Sequence, residues 1–176
     1  MKLSYNYLFN YLPKRYAANA EEELNRRIVY DFKDGCCSMK IKESFSNVIN
    51  KVTGNKANEW VVLFIPASSK SRTITRFSEL AQSIKSRTGI TASLNGIRNL
   101  VETESMCRSG HRFDKTSTYQ FDRTIINGKN VILIDDVITS GLSFRTCAEK
   151  LFQSGAKSVR GLFVAKTVNP DWPSNN

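Results

Sequence analysis

The 176-residue chain is short of histidine, of paired cysteines and of acid. His111 is its one histidine, and Cys36, Cys37, Cys107 and Cys147 form no CxxC pair, so a Cys/His zinc site of the usual ligand spacing is disfavoured. No stretch approaches the roughly 20 apolar residues of a membrane helix. The opening MKLSYNYLFNYLPKRY puts polar residues where a signal peptide needs an apolar run. Together these absences set the expectation of a reduced, cytoplasmic chain with no membrane partner, its cysteines packed as small hydrophobes. No internal repeat or low-complexity segment is visible. Only 16 Asp and Glu stand against 26 Lys and Arg, a net charge of +10, which favours anionic partners such as phosphates or nucleic acid without choosing between them.

What is present reads as one domain. Hydrophobic residues make up 40% of the chain, enough for a core of ordinary size. Residues 1–20 read as a loosely organised lead-in with alternating Tyr5, Tyr7, Phe9 and Tyr11, about 27–168 as the core, and 169–176 as a surface tail. EEELNRRIVYDF, with three early acids, reads as a helix start, and DFKDG as a turn. In the next helix Ile41, Phe45, Val48, Ile49 and Val52 share one face. WVVLFIPA, Trp60 to Ala67, is a continuous apolar run of the kind covered on both faces in a central parallel strand. After SSKSRT comes a helix with the stripe Ile74, Phe77, Leu80, Ala81 and Ile84, closed at Gly89. A long polar stretch follows, with short strands expected near TAS and TYQFDRTI. NVILIDD reads as a second buried strand. The next helix is marked by Phe144, Cys147, Ala148, Leu151 and Phe152, and SVRGLFVAKTV is a third strand. Strand–helix alternation of this kind implies βαβ crossovers and an α/β fold with a mostly parallel, Rossmann-like sheet flanked by helices.

Ligands in open α/β sheets sit beyond the carboxyl ends of the strands. At VILIDDVITSGLS the chain passes from apolar strand to Asp135 and Asp136, then to Thr139, Ser140, Gly141 and Ser143. The N–H groups opening the following helix attract an anion, and the hydroxyls add donors, which suits one phosphate monoester. Neither the Walker A pattern nor GxGxxG is present. Ionised carboxylates accept hydrogen bonds from a vicinal diol and assist Mg²⁺, often through water. Either half alone fits a strand cap or an ordinary helix start. Joined after a buried strand they fit ribose 5-phosphate. A second junction, IPASSKSRT, offers Ser68, Ser69, Lys70 and Arg72 to a diphosphate; alone it also reads as a solvated basic loop.

VILIDDVITSGLS resembles the signature that binds 5-phosphoribosyl 1-diphosphate (PRPP) in type I phosphoribosyltransferases. The likeness extends to their ComF-like subgroup through VYDFKDG, FIPASSKSRTITRFSELAQSI and GAKSVRGLFVAKTV, over about residues 27–168. The resemblance implies that fold, with a small hood and a flexible loop around Glu102–Arg123. It also implies displacement of diphosphate from PRPP by a nitrogen base, as in nucleotide salvage. Asp135 and Asp136 would hold the ribose hydroxyls, with Mg²⁺ nearby as cofactor. Val137, Thr139, Ser140, Gly141 and Ser143 would complete the PRPP site, and Ser68, Ser69, Lys70 and Arg72 would face the diphosphate. The chain departs from the subgroup at Arg76-Phe77-Ser78-Glu79, where Gly-Phe-Asn-Gln is usual. It also lacks the subgroup's Arg-Thr and Gln in the loop region and its N-terminal cysteine pairs. At Thr139 it lacks the acid of 6-oxopurine transferases, which disfavours hypoxanthine or guanine as acceptor.

A competing reading is a PRPP- or nucleotide-sensing regulator, or a ComF-like accessory protein that binds single-stranded nucleic acid without turnover. Arg108, Arg112, Lys115 and Arg123, interleaved with Phe113 and Tyr119, motivate it. The same residues also suit a mobile catalytic loop. His111 fits a loop general acid or base, or a surface residue with no partner. Tyr119 and Phe121 fit stacking on a base or packing in a hood strand. A homodimer is left open.

Overall fold

The order of helix and strand signals is realised in the computed structural model, which describes residues 3–54, 56–100 and 118–171. Five strands form one sheet: β1 (Ser4–Tyr11), β2 (Trp60–Phe64), β3 (Thr91–Ser93), β6 (Asn130–Ile138) and β7 (Ser158–Thr167). Their spatial order is β1-β7-β6-β2-β3, and every pairing is parallel. A separate antiparallel hairpin joins β4 (Ile97–Asn99) to β5 (Tyr119–Phe121). The helices are α1 (Ala20–Lys33), α2 (Met39–Thr53), α3 (Lys70–Thr88), the short α4 (Arg123–Ile126) and α5 (Leu142–Gln153).

Alternation along the buried strands divides the core into two layers. Val62, Phe64, Ile132, Ile134, Leu162 and Val164 pack against α1, α2 and α3, through Phe32, Phe45, Ile49, Phe77, Leu80 and Ile84. Val61, Leu63, Val131, Leu133, Val159 and Phe163 face the other way, toward α5 and α4 through Phe144, Cys147, Leu151 and Ile126. The result is an α/β fold with helices on both faces of a parallel sheet, as the sequence implied. Ile74, placed by periodicity in the apolar stripe of α3, is instead 46% exposed. It lies in the first turns of α3 and lines a cavity with Leu94, Ile97 and Leu100.

The first 20 residues are not a loose lead-in. Ser4–Tyr11 is an edge strand running parallel to β7, from Ser4 opposite Arg160 to Tyr11 opposite Thr167. The alternating aromatics were a period-two strand signal. Two features seat β1. Gly161 lets it approach, since a Cβ there would stand 2.9 Å from Tyr5 Cβ and 2.6 Å from the Phe163 ring. Arg26, only 5% exposed, donates from Nε to the Leu12 carbonyl at 2.7 Å and from Nη2 to those of Pro13 and Tyr16 at 2.8 and 2.7 Å. That guanidinium ties the connection after β1 to α1. Asn19 and Glu22 close a reciprocal capping box at the same end of the helix.

Strand lengths create the notch that matters. β2 ends at Phe64, and the last bond across to β6 is donated by Ile65 N–H to the Ile134 carbonyl at 2.9 Å. β6 continues to Ile138, paired only with β7. The two acids therefore sit inside a strand that outruns one neighbour, rather than at its end as the sequence reading placed them.

Candidate functional site

Asp135 and Asp136 occupy the first positions of β6 past the end of β2. Adjacent strand residues point to opposite faces, and the two carboxylates part accordingly. Asp135 faces the α5 side and lines a cleft of about 130 Å³ with Val137, Thr139, Ser140, Gly141 and Ser143. Asp136 is 8% exposed and turns toward α3, where Arg76 Nη1 donates to its Oδ2 at 2.7 Å. Its Oδ1 accepts from the Val137 N–H at 2.6 Å. Asp135 Oδ1 accepts from the Asp136 N–H at 2.8 Å.

The cleft beside Asp135 is a cradle. Gly141 is the N-cap of α5 at φ 72, a left-handed conformation natural to glycine. The first helical bond runs from Arg145 N–H to the Gly141 carbonyl, so the N–H groups of the preceding turn have no acceptor within the helix. Thr139, Ser140 and Ser143 are exposed around them. Thr139 Oγ1 is anchored to Thr167 Oγ1 at the end of β7, 2.8 Å away. Such a turn attracts an anion.

A second cavity of about 280 Å³ opens over the notch and shares Ile65, Asp135 and Ser143 with the cradle. Ser68, Asp136, Lys33 and Arg76 also line it. Its far wall is the hairpin: Tyr119 Oη donates to the Pro66 carbonyl at 3.3 Å, and Asn99 Nδ2 to that of Ala67. Thr73 fixes the loop below by accepting the Ala67 N–H at 3.0 Å and donating to the Ser69 carbonyl at 2.9 Å. Burial raises the Asp135 pKa well above the usual carboxylate range, and the Asp136 charge adds to that. The Asp136 N–H, Arg76 and Lys33 oppose it.

The sequence-derived residues divide as follows. Asp135, Val137, Thr139, Ser140, Gly141 and Ser143 are brought to one cleft, and Ser68 joins Asp135, Asp136 and Ser143 in the adjoining one. Ser69 is committed as the N-cap of α3, accepting from the Arg72 N–H at 3.2 Å. Lys70 lines a neighbouring cavity of about 280 Å³ between the start of α3 and the hairpin, and Arg72 lies beside Ser68, donating to its Oγ at 3.5 Å. The loop residues Cys107, Arg108, His111, Arg112, Phe113 and Lys115 lie outside the described residues.

Three site residues escaped the sequence reading as such. Lys33 was visible only as the lysine of VYDFKDG, Arg76 only as a departure from the subgroup, and Asn99 not at all. Among the described residues, Arg76 Nε and Asn99 Oδ1 are buried polar atoms without a hydrogen-bond partner. Both belong to residues lining the crevice.

Asp136 does not suit direct coordination of a magnesium ion. Asp136 shares its carboxylate with a guanidinium, which would repel a dication. Among the described residues, no three Asp, Glu, His or Cys side chains gather as a metal cluster. No helix among those residues is long and apolar enough to cross a membrane.

No protein-family model matches the chain, and no curated protein matches it. Among solved structures, it is similar to the allosteric regulatory enzyme of purine biosynthesis at 21% identity, covering 69% of this chain and 25% of that one, TM-score 0.42. It is similar to phosphoribosylpyrophosphate synthetase from Mycobacterium smegmatis at 19% identity, covering 71% and 33%, TM-score 0.44. It is also similar to the Trypanosoma cruzi hypoxanthine phosphoribosyl transferase at 14% identity, covering 81% and 66%, TM-score 0.47. The chain thus spans a quarter to a third of the first two.

Proposed function

We propose that the chain is a phosphoribosyltransferase that binds PRPP in the notch beyond β2 and transfers its phosphoribosyl group to a nitrogen base. One observation carries this reading: an anion cradle and a half-buried carboxylate share a continuous crevice, with Asp135 and Ser143 common to both parts. The resemblance of VILIDDVITSGLS to the PRPP signature supports the same ligand.

In this reading the α5 N–H groups and the hydroxyls of Thr139, Ser140 and Ser143 hold the 5-phosphate. Asp135 accepts from a ribose hydroxyl. The Ser68–Arg72 loop faces the diphosphate, and Asn99 and Tyr119 form the wall from which an acceptor approaches. In the transfer the bond from C1 to the diphosphate oxygen breaks, and its electron pair leaves with the diphosphate. A lone pair on the acceptor nitrogen forms the new bond to C1, and the nitrogen then gives up its proton. Charge develops at C1 and on the leaving group, so alignment and fixed charge supply most of the acceleration. Ionised Asp135 would stabilise positive character on the sugar, and the basic loop would stabilise the leaving group.

The test is incubation with PRPP and a panel of nitrogen bases, reading diphosphate release and nucleotide formation together. The expected result is base-dependent release that Asp135→Asn lowers by at least about tenfold in kcat/KM. Absence of PRPP binding by wild type would refute the reading. PRPP binding without turnover on any base, together with a salt-dependent shift of single-stranded DNA or RNA, would favour the regulator instead.

A further inference from the structure

The crevice contains two cations, Lys33 and Arg76, to which the transfer reading gives no task. We infer that these fixed cations meet the charge of the diphosphate, so that the site takes PRPP without a divalent metal. The inference rests on the ribose 5-phosphate reading of the cradle and concerns how the other end of that ligand is neutralised.

First, Asp136 is committed: Oδ2 to Arg76 at 2.7 Å and Oδ1 to the Val137 N–H at 2.6 Å. Its work is to hold a guanidinium, and a metal on the same carboxylate would be opposed by that charge. Second, Arg76 is anchored by Nη1 and lines the crevice, so its guanidinium charge is next to an entering phosphoryl group. Third, Lys33, the last residue of α1, lines the same cavity, and its charge acts on Asp135. Lys70 adds a third cation in the cavity next to it.

Neutralisation by side chains differs from neutralisation by an ion in a measurable way, because it survives a chelator. The experiment is calorimetric titration of the full chain with PRPP and, separately, with ribose 5-phosphate, each in excess EDTA and in excess MgCl₂. The expected result is PRPP affinity in EDTA within about threefold of that in magnesium. Lys33→Gln, and the paired substitution Arg76→Gln with Asp136→Asn, should each weaken PRPP in EDTA by at least about tenfold and ribose 5-phosphate by less than about threefold. The paired substitution keeps a neutral hydrogen-bonded couple in place of the ion pair. Should it fail to fold, Lys33→Gln carries the test.

Wild-type binding of PRPP that falls about tenfold or more in EDTA would overturn the inference, as would variants that bind PRPP like wild type. Ribose 5-phosphate bound in both media alongside magnesium-dependent PRPP would overturn this inference alone. Failure of ribose 5-phosphate to bind in either medium would overturn the ribose reading and this inference with it.

Discussion

Removing Arg76 should destabilise the protein far more than removing a surface ion pair, and the structure gives the size of the difference. The Arg76 and Asp136 side chains are 16% and 11% exposed, so Arg76→Ala strands a nearly buried carboxylate. Breaking such a pair from one side typically costs about 3–5 kcal/mol, and the Val137 N–H that still serves Oδ1 argues for the lower end. About 3 kcal/mol corresponds to a fall in Tm of roughly 6–12 °C for a chain of this size. Replacing both partners, Arg76→Gln with Asp136→Asn, should recover stability to within about 1 kcal/mol of wild type, because no unpaired charge remains. The Lys56–Glu59 pair makes an internal control. Its side chains are 69% and 53% exposed, and Glu59→Gln should cost less than about 1 kcal/mol. Urea denaturation of these variants and of the single substitutions Arg76→Gln and Asp136→Asn, with unchanged m-values, supplies the free energies. Two results would refute the reasoning: an Arg76→Ala cost below about 1 kcal/mol, or a double variant as unstable as the sum of its single substitutions.

Other substitutions probe separate parts of the account. Asp135→Asn should stabilise the free protein while weakening ligand binding. The folded chain holds the Asp135 proton more tightly than the unfolded chain, so ionisation costs stability. Wild type therefore loses stability relative to the variant as pH rises from the ordinary aspartate value, near 3.9, toward the raised folded value, a slope that paired denaturation curves would show or exclude. Arg26→Ala leaves the Leu12 and Tyr16 carbonyls without their donor and the Pro13 carbonyl with the Tyr16 N–H alone. It should cost at least about 3 kcal/mol, with amide exchange rising first in β1; protection of β1 equal to wild type would count against the stapling role. Gly161→Ala drives a methyl group into the Phe163 ring and Tyr5 and should cost about 1–3 kcal/mol, read from the same denaturation curves.

The layered core was legible in the sequence because buried parallel strands and amphipathic helices leave strong periodic marks. Val61 to Phe64, Val131 to Ile134 and the stripe Phe77, Leu80, Ala81, Ile84 are all buried in the structure. β1 was misread because an edge strand with Tyr5 and Tyr7 both more than a third exposed has no buried run to announce it. Its anchor, Arg26, lies on the following helix. The cradle was readable because Asp135 to Ser143 are contiguous. The cationic half was not, because Arg76 meets Asp136 across 60 residues and Lys33 arrives from α1. Local pattern also placed both acids toward one ligand; pleating turns them to opposite faces, yet both line the cavity over the notch, with Asp136 paired to Arg76.

The central claim is that the turn Thr139–Ser143 and Asp135 together hold a ribose 5-phosphate, and a crystal structure of the chain soaked with PRPP in EDTA tests it most directly. The account predicts the 5-phosphate against the first turn of α5, within hydrogen-bond distance of its N–H groups and of the Thr139, Ser140 or Ser143 hydroxyls. It also predicts a ribose hydroxyl on Asp135 and diphosphate oxygens near the Arg76 guanidinium and Lys33. A phosphate bound elsewhere, or a cradle left empty at saturating ligand, would contradict it.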